Sequence, residues 1–430
     1  MNLSRQSHLL SICLAGLALS SAPVSAQDFE QEPISYSRSA PDNRVSRLIA
    51  DLQSGKKTLP HESHFGYLRA LLAELDIPLS SQMLVFSKTS LQRHRISPDT
   101  PRALYFNDDT YVGFCQEGEV LEISTTDDAL GTVFYTLEQE RNPVPRVHRQ
   151  TDNCLICHAS SSTKGIPGHV VRSVYTDPAG FPILSSGSHR TNQTSPFSER
   201  WGGWYVTGTH GNQKHLGNLI VRGRKEPEQI DNSAGQNVTD LASYIDAANY
   251  LAPHSDLVAL MVLEHQTDAH NCITRANFAT RQALHYEEAL SRDLGRPAGD
   301  HWDSTKSRIQ SACEPLVEYL LFCHEARLTD KLAGTSQFVD DFARRGPRDN
   351  EGRSLREFDL TRRMFKYPCS YLVYSSAFAA LPREARDYVY RRFSEVLSGK
   401  DASDRFGHLT LEDRTAIREI LAETLPEFRS

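Results

Sequence analysis

Cys154-Leu155-Ile156-Cys157-His158 constrains this chain more than any other stretch. Two thiols three positions apart with an adjacent imidazole form the pattern through which haem c is attached. Each thiol adds to one vinyl group of the porphyrin, and the imidazole turns beneath the ring to coordinate iron. With eight Cys and seventeen His in 430 positions, a chance match is expected about 0.006 times per chain. A Cys-x-x-Cys pair also serves in thioredoxin-like redox sites, in zinc sites and in plain disulfides. No second Cys-x-x-Cys is present to complete a zinc ribbon. Thioredoxin-like pairs open a helix after a strand in a small α/β unit, a context not read here. The pattern therefore predicts one covalently attached haem c, with Cys154 and Cys157 as the thioether cysteines and His158 as the proximal iron ligand.

The beginning of the chain points to export. Arg5 precedes an apolar run over residues 9–19, and small residues end in Val24-Ser25-Ala26, so residues 1–26 read as a signal peptide. The run is about 11 residues, short of the roughly 20 that cross a bilayer, and no second such stretch follows. The expectation is a periplasmic or otherwise exported chain with no stable membrane span after signal cleavage. Export gives covalent attachment its use, because a merely coordinated haem is lost to dilution. Beyond Cys13, seven cysteines remain, an odd number whose spacing resembles no disulfide scaffold. Cys313 and Cys323, ten positions apart on one expected helix, are about 15 Å apart and cannot bridge each other. Net charge is −7, against a general nucleic-acid binder. No Ser-His-Asp arrangement, phosphate loop or dinucleotide fingerprint is readable.

The Cys154 to His158 motif resembles that of c-type cytochromes. The stretches Arg102-Ala-Leu-Tyr-Phe-Asn107, Arg200-Trp-Gly-Gly-Trp-Tyr-Val-Thr-Gly208 and Phe365-Lys-Tyr-Pro-Cys-Ser-Tyr371 make the wider chain similar to large exported bacterial proteins that contain a cytochrome c domain. The resemblance implies haem binding and electron transfer with a periplasmic redox partner protein, carried onto Cys154, Cys157 and His158. Small cytochromes c are far shorter and place an axial Met soon after the motif. Here no Met lies between His158 and Met261, so a small class-I cytochrome c fold is not expected.

Periodicity predicts an α+β chain. Helices are expected over 44–52 and 65–75, followed by strands over 83–86, 103–106, 111–115, 120–124 and 132–137, an antiparallel-looking region. The haem motif, between Pro143, Pro145 and Gly165-Ile-Pro-Gly168, is expected on loops. Strand-like stretches continue at 169–175, 203–207 and 216–222, and residues 223–237 read as a linker. This gives a mixed haem-bearing domain over 27–235 and a mainly helical domain over 236–430. In the second, Ser255 is placed to cap a long helix beginning at Asp256 and running to about residue 294. Further helices are expected over 305–328, 336–344, 359–365, 370–380, 382–397 and 411–424.

The second axial position of the iron falls to His215, His210 or His169 as candidate distal ligands, the first two in a Gly-rich loop after Trp201 and Trp204. On the long helix Met261, His265, Asp268 and Cys272 share one face, read as core for the first and last and a polar contact for the middle two. Arg146, His148, Arg149, Lys164 and Arg172 flank the motif as candidate propionate partners or as a solvated face. Two functions follow. A low-spin haem with two strong axial ligands makes an electron carrier. An open sixth position makes a haem enzyme or a gas or peroxide sensor, which the length beyond the needs of an electron carrier and the missing Met favour.

Overall fold

The computed structural model describes residues 28–223, 226, 229–295 and 301–429; the expected signal peptide, 1–26, lies outside them. Helix α1, Arg44–Gln53, starts at a reciprocal cap in which the Asn43 side chain accepts from the Ser46 amide and Ser46 Oγ accepts from the Asn43 amide. Its Val45, Leu48 and Leu52 face inward with Leu68, Leu71 and Leu72 of α2, Leu68–Glu74. A six-stranded antiparallel meander follows: β1 Met83–Val85, β2 Arg102–Phe106, β3 Thr110–Phe114, β4 Val120–Asp127, β5 Gly131–Glu138 and β6 Val147–Gln150. The two-residue period divides this sheet. Ala103, Tyr105, Val112, Leu121, Val133 and Tyr135 bury one face under α1 and α2. The opposite face carries Arg102, Leu104, Tyr111, Gly113, Glu122 and Phe134, brought together by the register Leu104 to Gly113 and Gly113 to Glu122.

The Cys154 to His158 motif, expected on loops, forms a short helix instead: α3, Asn153–His158. Small two-stranded sheets pair β7, Arg172–Val174, with β8, Ser188–Arg190, and β9, Gly208–Thr209, with β10, Ala333–Gly334. The strands expected over 203–207 and 216–222 run instead as irregular chain. Gln236 and Asn237, inside the expected linker, bond the backbone of His215 and His210. Leu241, Ile245 and Tyr250 join the apolar cluster under the sheet.

Helix α4, Leu257–Asp293, runs 37 residues and is capped by Asp256, whose carboxylate accepts from the Val258 and Ala259 amides; Ser255 instead bonds the backbone of Leu84 and Tyr205. Buried on nearly all sides over its first five turns, α4 carries polar groups that each tie down a different segment. Glu264 pairs with Arg200 at 2.9 Å, and His265 lies between Gln193 and Ser370. Gln266 reaches Asn107 and Tyr111, and Asp268 reaches Lys164. Burying such groups is tolerable only when they are paired.

Helix α5, Asp303–Leu320, packs along α4; α8, Arg383–Leu397, packs on α5, and α9, Leu411–Thr424, on α8. Short helices α6, Phe338–Ala343, and α7, Ser376–Ala379, fill between them. The expected helix over 305–328 ends eight residues early, where Phe322 and His324 take left-handed backbone at φ 57° and 62°. Residues 359–365 form turns closed by a bridge between Phe358 and Phe365. No helix among the described residues is long and apolar enough to cross a membrane.

Candidate functional site

Strand β6 leads directly into α3, whose 3.6-residue turn puts Cys154, Cys157 and His158 at i, i+3 and i+4 on one face. Both thiols are free, Cys157 exposed and Cys154 half-buried. The chain then folds back. Gly168 N–H donates to the His158 carbonyl at 2.8 Å, and Thr163 Oγ1, whose shortest contact is the Ile166 carbonyl at 2.8 Å, also lies within reach of it. His158 Nδ1 lies 3.0 Å from the Gly168 carbonyl. A carbonyl only accepts, so Nδ1 holds the ring proton and Nε2 presents a lone pair. Nε2 has no partner among the described residues. Burial pushes the His158 pKa below the ordinary imidazole value, keeping that lone pair unprotonated at neutral pH.

The three side chains border a cavity of about 450 Å³, inside the roughly 300–1,000 Å³ range of small-molecule sites. The inner face of the sheet makes its floor, Val171 and Trp204 one wall, and Leu263 and Thr267 of α4 its far end. Leu91 and Leu184, which line the cavity, are 50% and 66% exposed, whereas Ile156 of α3, 75% exposed, does not line it. Gly113 has a role on the floor: a β-carbon there would come within 2.6 Å of Arg102 Nε, so its absence lets the guanidinium lie across the strand. Arg102 meets Glu122 at 3.3 Å, and Glu122 also accepts from Ser90 and Gln92. Arg102 Nε is buried with no partner among the described residues.

These groups fit a porphyrin held through two thiols. The thiols and the imidazole share a helix face, the imidazole is fixed in the tautomer that leaves Nε2 free for a metal, and an apolar-walled cavity is bordered by the Arg102 guanidinium, a positive charge suited to lie near a carboxylate. The thioredoxin-like alternative meets a different obstacle from the one expected. The pair does open a helix after a strand, but the helix has six residues and the sheet is wholly antiparallel. Burial pushes the Cys154 thiol up to about 11, with Glu122 adding and Arg102 opposing, whereas redox-active thiols are depressed.

Of the three candidate distal ligands, only His169 lines the cavity. Chain continuity places it beside Gly168, the residue that supports His158. Its two nitrogens are engaged, Nε2 with Ser124 Oγ at 2.9 Å and Nδ1 with Thr132 Oγ1 at 3.3 Å. His210 and His215 pack on each other, ring centroids 4.6 Å apart, and on Phe197, away from the cavity. Their loop is drawn there by Asn237, Gln236 and Asp330. On α4, Met261 is core and His265 is sealed between Gln193 and Ser370, so neither borders the cavity.

Among the basic flanking residues, Arg146 and His148 bond Glu138, Arg149 bonds the Tyr36 and Ser39 carbonyls, and Lys164 pairs with Asp268. Arg172 lines the cavity. Arg102 and Glu122 were missed from sequence. The available signal was Gly113, a glycine inside a strand otherwise rich in β-formers, which marks close approach of another group. No protein-family model, no curated protein and no solved structure matches the chain.

Proposed function

We propose that this chain is an exported mono-haem c-type cytochrome that passes single electrons to and from a periplasmic partner protein. One observation carries the reading: His158 Nδ1 is held by the Gly168 carbonyl while its Nε2 stands open beside two free thiols at a cavity of about 450 Å³. Haem bound there supplies reversible one-electron exchange at iron. The residues do the rest. Cys154 and Cys157 would tether the ring, His158 would present a neutral imidazole, Leu104, Phe134 and Trp204 would exclude water, and Arg102 would set its positive charge near a propionate. The redox partner belongs to the proposal through the family resemblance alone.

A second reading has its own support. Both nitrogens of His169 are already hydrogen-bonded, His210 and His215 lie elsewhere, and no Met lines the cavity. The described residues therefore offer no ready group to a sixth iron position, as a haem enzyme or a gas or peroxide sensor would require. Visible spectra of the purified protein, oxidised and reduced, with and without carbon monoxide, decide between the two. Sharp reduced bands insensitive to carbon monoxide establish the electron carrier, and a high-spin spectrum that shifts with carbon monoxide establishes the open iron. For both, Cys154→Ala with Cys157→Ala is expected to abolish haem that survives denaturing electrophoresis; a variant that keeps it overturns the assignment.

A further inference from the structure

We infer that Asn271 of α4 is a positioning residue for His158, acting through the backbone of Gly168 and His169; the inference rests on the haem reading above. Asn271 is 1% exposed. Its Oδ1 accepts from the His169 amide at 2.9 Å and its Nδ2 donates to the His169 carbonyl at 2.7 Å. One side chain thus grips both polar groups of one backbone residue, as a neighbouring strand would. A β-carbon at Gly168 would overlap Asn271 Oδ1, so the chain comes this close only with glycine there. A turn earlier Asp268 accepts from Lys164 Nζ at 2.8 Å and from Asn192 Nδ2 at 2.9 Å. Helix α4 therefore fastens the 159–169 loop at two points.

From that loop two hydrogen bonds return to His158: one onto its carbonyl, from Gly168 N–H, and one at its ring, onto the Gly168 carbonyl. The ring bond sets which nitrogen is free and how the imidazole is tilted. A buried amide in mid-helix is costly unless satisfied, and this one spends both its groups on His169. Held firmly, the carbonyl on Nδ1 makes the imidazole a stronger donor and favours ferric iron; loosened, it favours ferrous iron. Partners of metal-bound histidines typically matter by about 10- to 100-fold in metal affinity.

The test uses full-length protein carrying covalent haem, as Asn271→Ala and Asn271→Asp, with Thr280→Ala as an equally buried polar loss elsewhere on α4. Asn271→Ala is expected to raise the reduction potential by about tenfold in ferrous preference, about 59 mV for one electron, and to shift the visible bands of the axial ligand. Asn271→Asp, which keeps the acceptor for the His169 amide but loses the donor, is expected between Asn271→Ala and wild type. Thr280→Ala is expected at the wild-type potential. Wild-type potential and spectrum in Asn271→Ala overturn the inference and leave the haem reading standing. Should Asn271→Ala yield no folded protein, an unchanged potential in Asn271→Asp overturns it alone. Absence of covalent haem from the wild type overturns the haem reading itself.

Discussion

Two histidine pairs differ in what a buried imidazole has free to offer a metal. His158 and His169 flank Phe134; His210 and His215 flank Phe197. Burial lowers the pKa of all four. The pairs part at the ring nitrogens. In the first, a carbonyl holds Nδ1 of His158 and Nε2 opens on a cavity. In the second, both rings are sealed, and the Nδ1 atoms of His210 and His215 are buried with no hydrogen-bond partner among the described residues. Aromatic neighbours and a low pKa mark buried histidine in general. A fixed proton on one nitrogen and free volume at the other leave an imidazole able to coordinate a metal.

The sharpest way to break this comparison is to remove one member of each pair. His158→Ala is expected to abolish axial imidazole coordination in the visible spectrum, whereas His215→Leu is expected to leave the spectrum unchanged; the reverse result assigns the iron to the other pair. The sealed histidines should announce themselves through pH instead. Burial drives His215 and His265 down to about 3, while their unfolded forms titrate near 6.5. Between those values the unfolded chain binds more protons than the native one, so stability is complete above about pH 6.5 and falls as pH drops toward about 3. Each imidazole contributes up to about 1.4 kcal/mol per pH unit, and His215→Leu is expected to flatten the dependence of Tm on pH by one imidazole's share.

Within the open pair's cavity, Arg102→Gln removes a cation near the ring. It is expected to lower the reduction potential by about a tenfold change in ferrous preference, about 59 mV, as measured by redox titration. The smallest effect is expected on the exposed side of α3. Ile156→Ser, at a side chain 75% exposed, is expected to change unfolding free energy by less than about 0.5 kcal/mol in urea titration.

The strands from 83 to 138 were legible because Val, Ile, Tyr and Phe alternate there between turn residues such as Asn107, Asp108 and Asp109. Helix α4 was legible because no Gly or Pro interrupts it. Helix α3 was not: six residues are too few to show a helical period, and prolines upstream suggested a loop. The expected helix over 359–365 failed because Phe358 and Phe365 pair across a tight turn rather than lining a face. At the site, Cys154, Cys157 and His158 were visible because their chemistry is local. Arg102, Glu122, Gly168 and Asn271 were not, since each acquires its role from a partner brought near by sheet register or by the placement of α4. His169 lines the cavity whereas His210 and His215 pack elsewhere, because closeness along the chain says little about which wall of a cavity a loop joins.

The hydrogen bonds from Asn271 to His169 span 102 residues of chain, which gives the site a sequence in time. The cysteines, the imidazole and the carbonyl beneath it are all made before the residue that clamps them exists. At roughly 5–20 residues per second of synthesis, several seconds separate the appearance of His169 from that of Asn271. During that interval the loop has no α4 to close against, and contacts of such long range form late because their loop-closure cost must be met first. The loop that carries Gly168 and His169 is thus complete before α4, the helix that fastens it, and α5, α8 and α9 arrive later still.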